Sequence, residues 1–182
     1  MPRQVFLFDR PARFVAGTVG QPGDRTFYLQ ATDGGRTVSV ALEKTQVQVL
    51  AERMNELLDE VATRASVVVP PEADVDDLEP LTAPVDEEFR VAAMGLAWDG
   101  ETDAVVVEAV AAGDEPIDEE AILSDAEDGP DALRVTISPA AARAFVARAR
   151  RVIAAGRPSC PLCSLPLDPA GHVCPRQNGY RR

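Results

Sequence analysis

The chain has 182 residues, of which 46% are hydrophobic, so it is long and apolar enough to bury a core in one sizeable domain or two small ones. Its net charge of −12 disfavours bulk affinity for nucleic acid. The chain contains no run of about 20 apolar residues, the length that a membrane-spanning helix needs, and the apolar run at its start is too short for a secretory signal. We therefore expect a cytoplasmic protein.

The first part of the chain predicts a sheet followed by a helix. Four strands and one helix are expected, over residues 4–8, 13–20, 26–32, 37–42 and 45–63. The third strand alternates apolar and polar side chains, which is typical of a half-buried antiparallel strand. Its polar face, with Gln30, and the matching face of the fourth strand, with Ser39, are expected to meet solvent. The helix carries one apolar stripe at spacings of three and four residues, which indicates packing on the sheet.

A break in this pattern follows the helix. Residues 70–88 hold eight acids and four prolines and predict a surface linker, preceded by a further short strand at residues 66–70. The second part then repeats the strand pattern, with strands expected over residues 89–98, 104–111 and 133–137 and an acidic loop between the last two. Ser138 as N-cap and Pro139 in the first turn predict the start of a second helix, which Gly156 and Pro158 end.

The two parts of the chain resemble each other. A shift of 95 residues places the fourth strand on the strand at 133–137 and the apolar stripe of the first helix on that of the second. We therefore expect an α+β fold with two similar antiparallel-sheet-plus-helix repeats (ββββα-like, pseudo-twofold) and a C-terminal zinc knuckle. The expected segments are a repeat at 1–65, a linker at 66–88, a second repeat at 89–156 and a zinc-binding tail at 157–182.

The zinc knuckle rests on all three cysteines and the only histidine of the chain, which fall within fifteen residues: Cys160, Cys163, His172 and Cys174. Zinc takes four such ligands in a tetrahedron, and Cys3His sets are typical of structural sites. Pro166, Pro169 and Gly171 supply the turns that bring the two pairs together. The sequence therefore predicts a structural Zn²⁺ site.

Other uses of these cysteines fit less well. A redox Cys-x-x-Cys should open a helix, and Pro166 prevents a long helix after Cys163. A disulfide would leave one cysteine unpaired. With the sole histidine committed to metal, no Ser/His or Cys/His nucleophile is available, and no phosphate loop or dinucleotide fingerprint is present. An enzyme of unrecognised type is kept as an alternative hypothesis.

Positive charge collects at the C-terminus. Between residues 140 and 182, a stretch that we call the basic arm, eight arginines face one acid, so the arm carries +7 and the first 139 residues carry −19. The candidate contacts for an anionic ligand or partner are Arg148, Arg151, Arg176, Arg181 and Arg182. The arm could bind an external anion, including nucleic acid or a nucleotide, or the protein's own acidic loops. The sequence leaves both open.

Three stretches, at residues 5–11, 46–60 and 171–180, resemble a family of uncharacterised actinobacterial proteins catalogued as domain of unknown function 3090. The resemblance spans essentially the whole chain and implies no activity. It implies a shared pathway or complex with a histidine-phosphatase-like or kinase-like protein. Together with the zinc motif, it predicts a non-catalytic zinc-containing binding or adaptor protein with protein partners and no membrane association.

Overall fold

The computed structural model describes residues 2–64, 67–71, 77–113, 116–117, 122–167 and 171–176. Along these residues run the strands and helices β1 (Val5–Asp9), β2 (Arg13–Gln21), β3 (Asp24–Asp33), β4 (Arg36–Leu42), α1 (Lys44–Arg64), β5 (Glu87–Asp99), β6 (Ala104–Ala111), β7 (Ala132–Ile137) and α2 (Pro139–Ala154). The fold is α+β, and these elements lie within two residues of their predicted positions. Residues 67–70, where a further strand was expected, form none.

The seven strands form one mixed sheet in the order β1-β7-β6-β5-β4-β3-β2. Strands β2 to β4 are antiparallel, and so are β5 to β7, but β4 pairs with β5 in parallel and joins the two groups. This corrects the expectation of two antiparallel sheets. A parallel pair needs a long crossover, which α1 and the linker provide.

The first strand lies outside the repeat that the sequence suggested. β1 pairs in parallel with β7, at the edge of the sheet farthest from β2. The Ala132 N–H donates to the Gln4 carbonyl (2.9 Å) and the Arg10 N–H to the Thr136 carbonyl (2.8 Å), so the backbone groups of β1 that face β7 find partners there. Each half thus supplies three antiparallel strands and a helix, not four strands. That the halves arose by duplication, with segments 1–65 and 89–156, stays a prediction.

The core lies between the sheet and the two helices. Its largest members are aromatic: the Phe14 ring of β2 stacks on Phe145 of α2 at 4.9 Å between centroids, and Phe6 of β1 lies 6.5 Å from Phe89 of β5. Because two strands separate β1 from β5, this last contact requires the sheet to curve around the core. No helix in the described ranges is both long and apolar enough to cross a membrane.

The polar face of β3 and β4 is covered, contrary to expectation. Gln30 and Ser39 are only 1% and 2% exposed, because part of the linker crosses over them. The Gln30 side chain donates to the Thr82 carbonyl (3.0 Å) and accepts from the Thr82 N–H (2.8 Å). Leu81 lies so close to Gly17 that a Cβ there would be 2.5 Å from Leu81 Cδ2. This burial is possible because the Gln30 amide has hydrogen-bond partners for both its oxygen and its nitrogen.

A second segment covers the corresponding face of the other half. Glu108 of β6 is completely buried and accepts hydrogen bonds from Arg3 and, at 2.6 Å, from Arg134 Nε. Both arginines also donate to the Ser124 carbonyl. Residues 124–127 of the acidic loop and the N-terminal residues therefore close this face around a buried ionic cluster.

Candidate metal centre

The four predicted ligands converge at one point. The ligand atoms of Cys160, Cys163, His172 and Cys174 all lie within 4.8 Å of one another. The Cys160 and Cys174 sulfurs are 3.9 Å apart, and Cys163 Sγ is 3.2 Å from His172 Nε2. In a tetrahedral site with Zn–S bonds of about 2.3 Å, neighbouring sulfurs lie about 3.8 Å apart. The donor set and its spacing therefore suit a tetrahedral metal ion.

A short hairpin presents the first two ligands. Ser159 and Pro166 form an antiparallel bridge, and the Leu167 N–H donates to the Pro158 carbonyl (2.8 Å). Inside this bridge the Cys160 N–H donates to the carbonyl of Leu165 and the Cys160 carbonyl accepts from Ser164, both at 2.8 Å. Ser164 takes a left-handed backbone with φ +61°. This tight turn aims the side chains of both cysteines at the same side of the hairpin.

The surroundings of this turn also shift the pKa values of its two thiols. The backbone N–H groups of Cys163 and Leu162 donate to the Cys160 sulfur and lower the pKa of that thiol to about 6. Burial raises the pKa of the Cys163 thiol. Metal ions bind the thiolate form of cysteine. The Cys160 thiol is therefore ready to ionise near neutral pH, and a metal would displace the proton of Cys163.

We call residues 157–176 the metal module. Among its described residues only Cys160 and Cys174 are buried, and both belong to the cluster, so these residues form no apolar core apart from the ligands. With four protein ligands present, no coordination position is left for water or a substrate. The arrangement is suited to holding the chain together rather than to catalysis at the metal.

Arg148 lies inside the protein instead of on its surface. Its Nε donates to the carbonyl of Ala16 (2.9 Å), its Nη1 to that of Asp77 (2.7 Å) and its Nη2 to that of Glu79 (2.7 Å). The Asp77 carboxylate binds Arg148 and also Arg13, and the hydrogen bond from Arg13 is the main cause that lowers the pKa of Asp77. Of the two roles that the sequence left open, Arg148 takes the internal one, because it meets the protein's own acidic segment.

The other candidate cations are spread out. Arg151 is exposed in the last turn of α2, and Arg176 is exposed two residues after the last ligand. Arg181 and Arg182 lie outside the described residues. The structure therefore brings one of these arginines, Arg176, next to the cluster, while Arg151 stays on the helix.

Two kinds of residue were missed by sequence reasoning. The first is Arg143, which is buried and joins the helices by donating to Asn55 Oδ1 and Asp59 Oδ1, each at 2.6 Å. Helical spacing carried a signal for Arg143, which lies three residues before Val146 of the apolar stripe. The second kind is a set of exposed aliphatic side chains around the cluster, which alternate with its ligands: Leu162, Leu165 and Val173.

Comparison with known proteins gives one match. The family model described as protein of unknown function (DUF3090) matches residues 6–174. The matched range contains both helices and almost the whole sheet, and it ends at the last cluster ligand. No curated protein and no solved structure matches the chain.

Proposed function

The chain belongs to the family of proteins of unknown function DUF3090, and from this premise we propose that it is a non-catalytic binding or adaptor protein. In this proposal a structural Zn²⁺ bound by Cys160, Cys163, His172 and Cys174 fixes the shape of a C-terminal contact surface. The body, by which we mean residues 2–154, serves as the scaffold that carries this surface.

One observation carries the proposal: three thiols and an imidazole lie within 4.8 Å of one another, and Cys160 and Cys174 are the only buried residues among the described residues of the module. Zinc is the favoured ion because it accepts mixed sulfur and nitrogen ligands in a tetrahedron. Small modules of this kind gain their folding energy from the metal. A surface that exists only when metal is bound has a purpose outside the body, since the body has its own core.

The same chemistry supports a binding role over a catalytic one. The cluster uses the only histidine and all three cysteines, and it leaves no open metal position. A cytoplasmic location is part of the proposal, because the three free thiols stay reduced there. A histidine-phosphatase-like or a kinase-like protein, which the family resemblance implies, is the partner to test first.

Native mass spectrometry of the untagged full-length protein tests the metal. We expect about one zinc ion per chain, lost in Cys160→Ser and Cys174→Ser and kept in Ser159→Ala, which changes an exposed neighbour of the first ligand. In co-purification from a native lysate, the same partner should be retained by Ser159→Ala and lost by Cys160→Ser. Absence of stoichiometric metal together with freely alkylated thiols, or equal partner capture by both variants, contradicts the proposal.

A further inference from the structure

Three aliphatic side chains close in sequence to the ligands are exposed. Leu162 is 46%, Leu165 50% and Val173 82% exposed. Each stands within two residues of a ligand, and because the ligand side chains turn toward one point, the residues between them face outward. The module has no interior that could take them up. Exposed apolar side chains gathered in one place mark interaction surfaces.

The stretch of chain that carries this patch is mainly basic. Arg176 is exposed beside it, and between residues 157 and 182 the sequence holds four arginines and one acid, Asp168. The rest of the protein is strongly acidic. An apolar patch with a cationic rim is complementary to a partner that brings aliphatic groups and carboxylates together.

Resting on the proposed function, we propose that Leu162, Leu165, Val173 and Arg176 bind an acidic protein segment whose aliphatic side chains stand between carboxylates. The aliphatic contacts supply most of the affinity, and the arginine rim selects acidic segments and speeds association. The partner is thus defined by its chemistry: a chain segment rich in Asp or Glu with Leu, Ile or Val among them.

Nucleic acid fits this surface less well, although it is also anionic. Single-stranded nucleic acid is held by several aromatic side chains on which bases stack, whereas residues 157–182 contain one tyrosine, Tyr180, and no Phe or Trp. Phosphate binding also needs several accessible cations. Arg143 and Arg148, two members of the basic arm, are buried against the protein's own carboxylates and carbonyls.

Fluorescence anisotropy with the full-length zinc-loaded protein tests the inference. The probes are three short labelled peptides: one of Leu and Glu, the same with every Glu replaced by Gln, and the same with every Leu replaced by Ser. We expect the Leu/Glu peptide to bind at least about tenfold more tightly than either of the others. Its affinity should fall between about 50 mM and 300 mM salt, because screening weakens the arginine contacts.

Variants locate the binding site. The double variant Leu162→Ser/Val173→Ser should weaken binding by about tenfold or more while keeping its zinc. The control is Val19→Ser/Val49→Ser, which removes two valines that are about half exposed on the body and should leave binding unchanged. Arg176→Glu should weaken binding, whereas Arg151→Glu should not.

The results distinguish a failure of the peptide-binding site from a failure of the proposed function on which it rests. If the protein holds zinc and binds all three peptides equally or none of them, the inference is overturned and the zinc proposal stands. Equal binding of a single-stranded oligonucleotide of the same charge overturns it in favour of nucleic acid. If the protein holds no zinc, the proposed function fails first.

Discussion

The body and the metal module are held together in opposite ways. The body encloses a continuous apolar core that runs from Phe6 to Ala149, whereas the described part of the module buries only two cysteines. Apolar burial scales with the amount of chain that can be folded over itself, and a module of some twenty residues has too little. We expect the body to fold without metal and the module to fold only with it.

The largest effect should follow loss of a metal ligand. In Cys160→Ser or His172→Ala the remaining three ligands bind zinc weakly, so residues from about Ser159 onward lose their fixed structure. Limited proteolysis followed by mass spectrometry should show rapid trimming of the tail and an intact body. The cooperative thermal unfolding of the body should stay unchanged.

Ser159→Ala serves as the control in that experiment, because it alters an exposed side chain in the same hairpin and keeps all four ligands. Loss of the cooperative transition of the body in Cys160→Ser would show that the two regions fold as one unit. The expectation that the body folds without metal would then be wrong.

Inside the body, the buried ionic cluster should be the most sensitive point. Glu108→Ala leaves the Arg3 guanidinium buried without its carboxylate, whereas Arg134 keeps Asp125, and Arg3 Nε already has no hydrogen-bond partner among the described residues. Removing one partner of a buried ion pair costs about 3–5 kcal/mol of unfolding free energy. Urea denaturation measures this loss, and zinc content should not change. In contrast, Glu101→Ala, in the exposed turn after β5, should cost less than about 0.5 kcal/mol.

A smaller effect on stability should distinguish Arg148 from Arg151, which the sequence offered equally as candidate contacts. Arg148→Met removes the guanidinium that donates to the carbonyls of Ala16 and Asp77, which should lower the free energy of unfolding by about 2–3 kcal/mol, while the Glu79 carbonyl keeps its bond from Arg13. Arg151→Met, on the exposed side of the same helix, should change it by less than about 0.5 kcal/mol. Urea denaturation of both variants measures these two free energies, and equal effects would contradict the internal role of Arg148.

The smallest effect concerns acid. The hydrogen bond from Arg13 lowers the pKa of Asp77 in the folded protein, so the stabilisation is present above the unfolded pKa of about 3.9 and is lost as the pH falls through the lower folded pKa. The free energy of unfolding of the body should therefore fall less steeply with acid in Asp77→Asn than in the original protein. Arg13→Met should flatten the same slope, and an unchanged slope in both variants would contradict this ion pair.

The elements of the fold and the ligand cluster could be read from local sequence. Alternation in residues 26–32, the apolar stripes of both helices and the Ser138-Pro139 start signal depend on neighbours within a few positions, and the structure confirms them. The convergence of Cys160, Cys163, His172 and Cys174 was predictable for the same reason, since the four residues and their turn-forming spacers lie within one short stretch.

Tertiary structure alone decided which distant parts meet. β1 pairs with β7, more than 120 residues away along the chain. Gln30 is buried against the backbone of Thr82, and Arg148 donates to a carbonyl of β2 that is 132 residues away. A polar side chain has the same local pattern whether water or a remote carbonyl satisfies it. Its burial depends on which segment crosses over it, and residue spacing along the chain carries no record of that crossing.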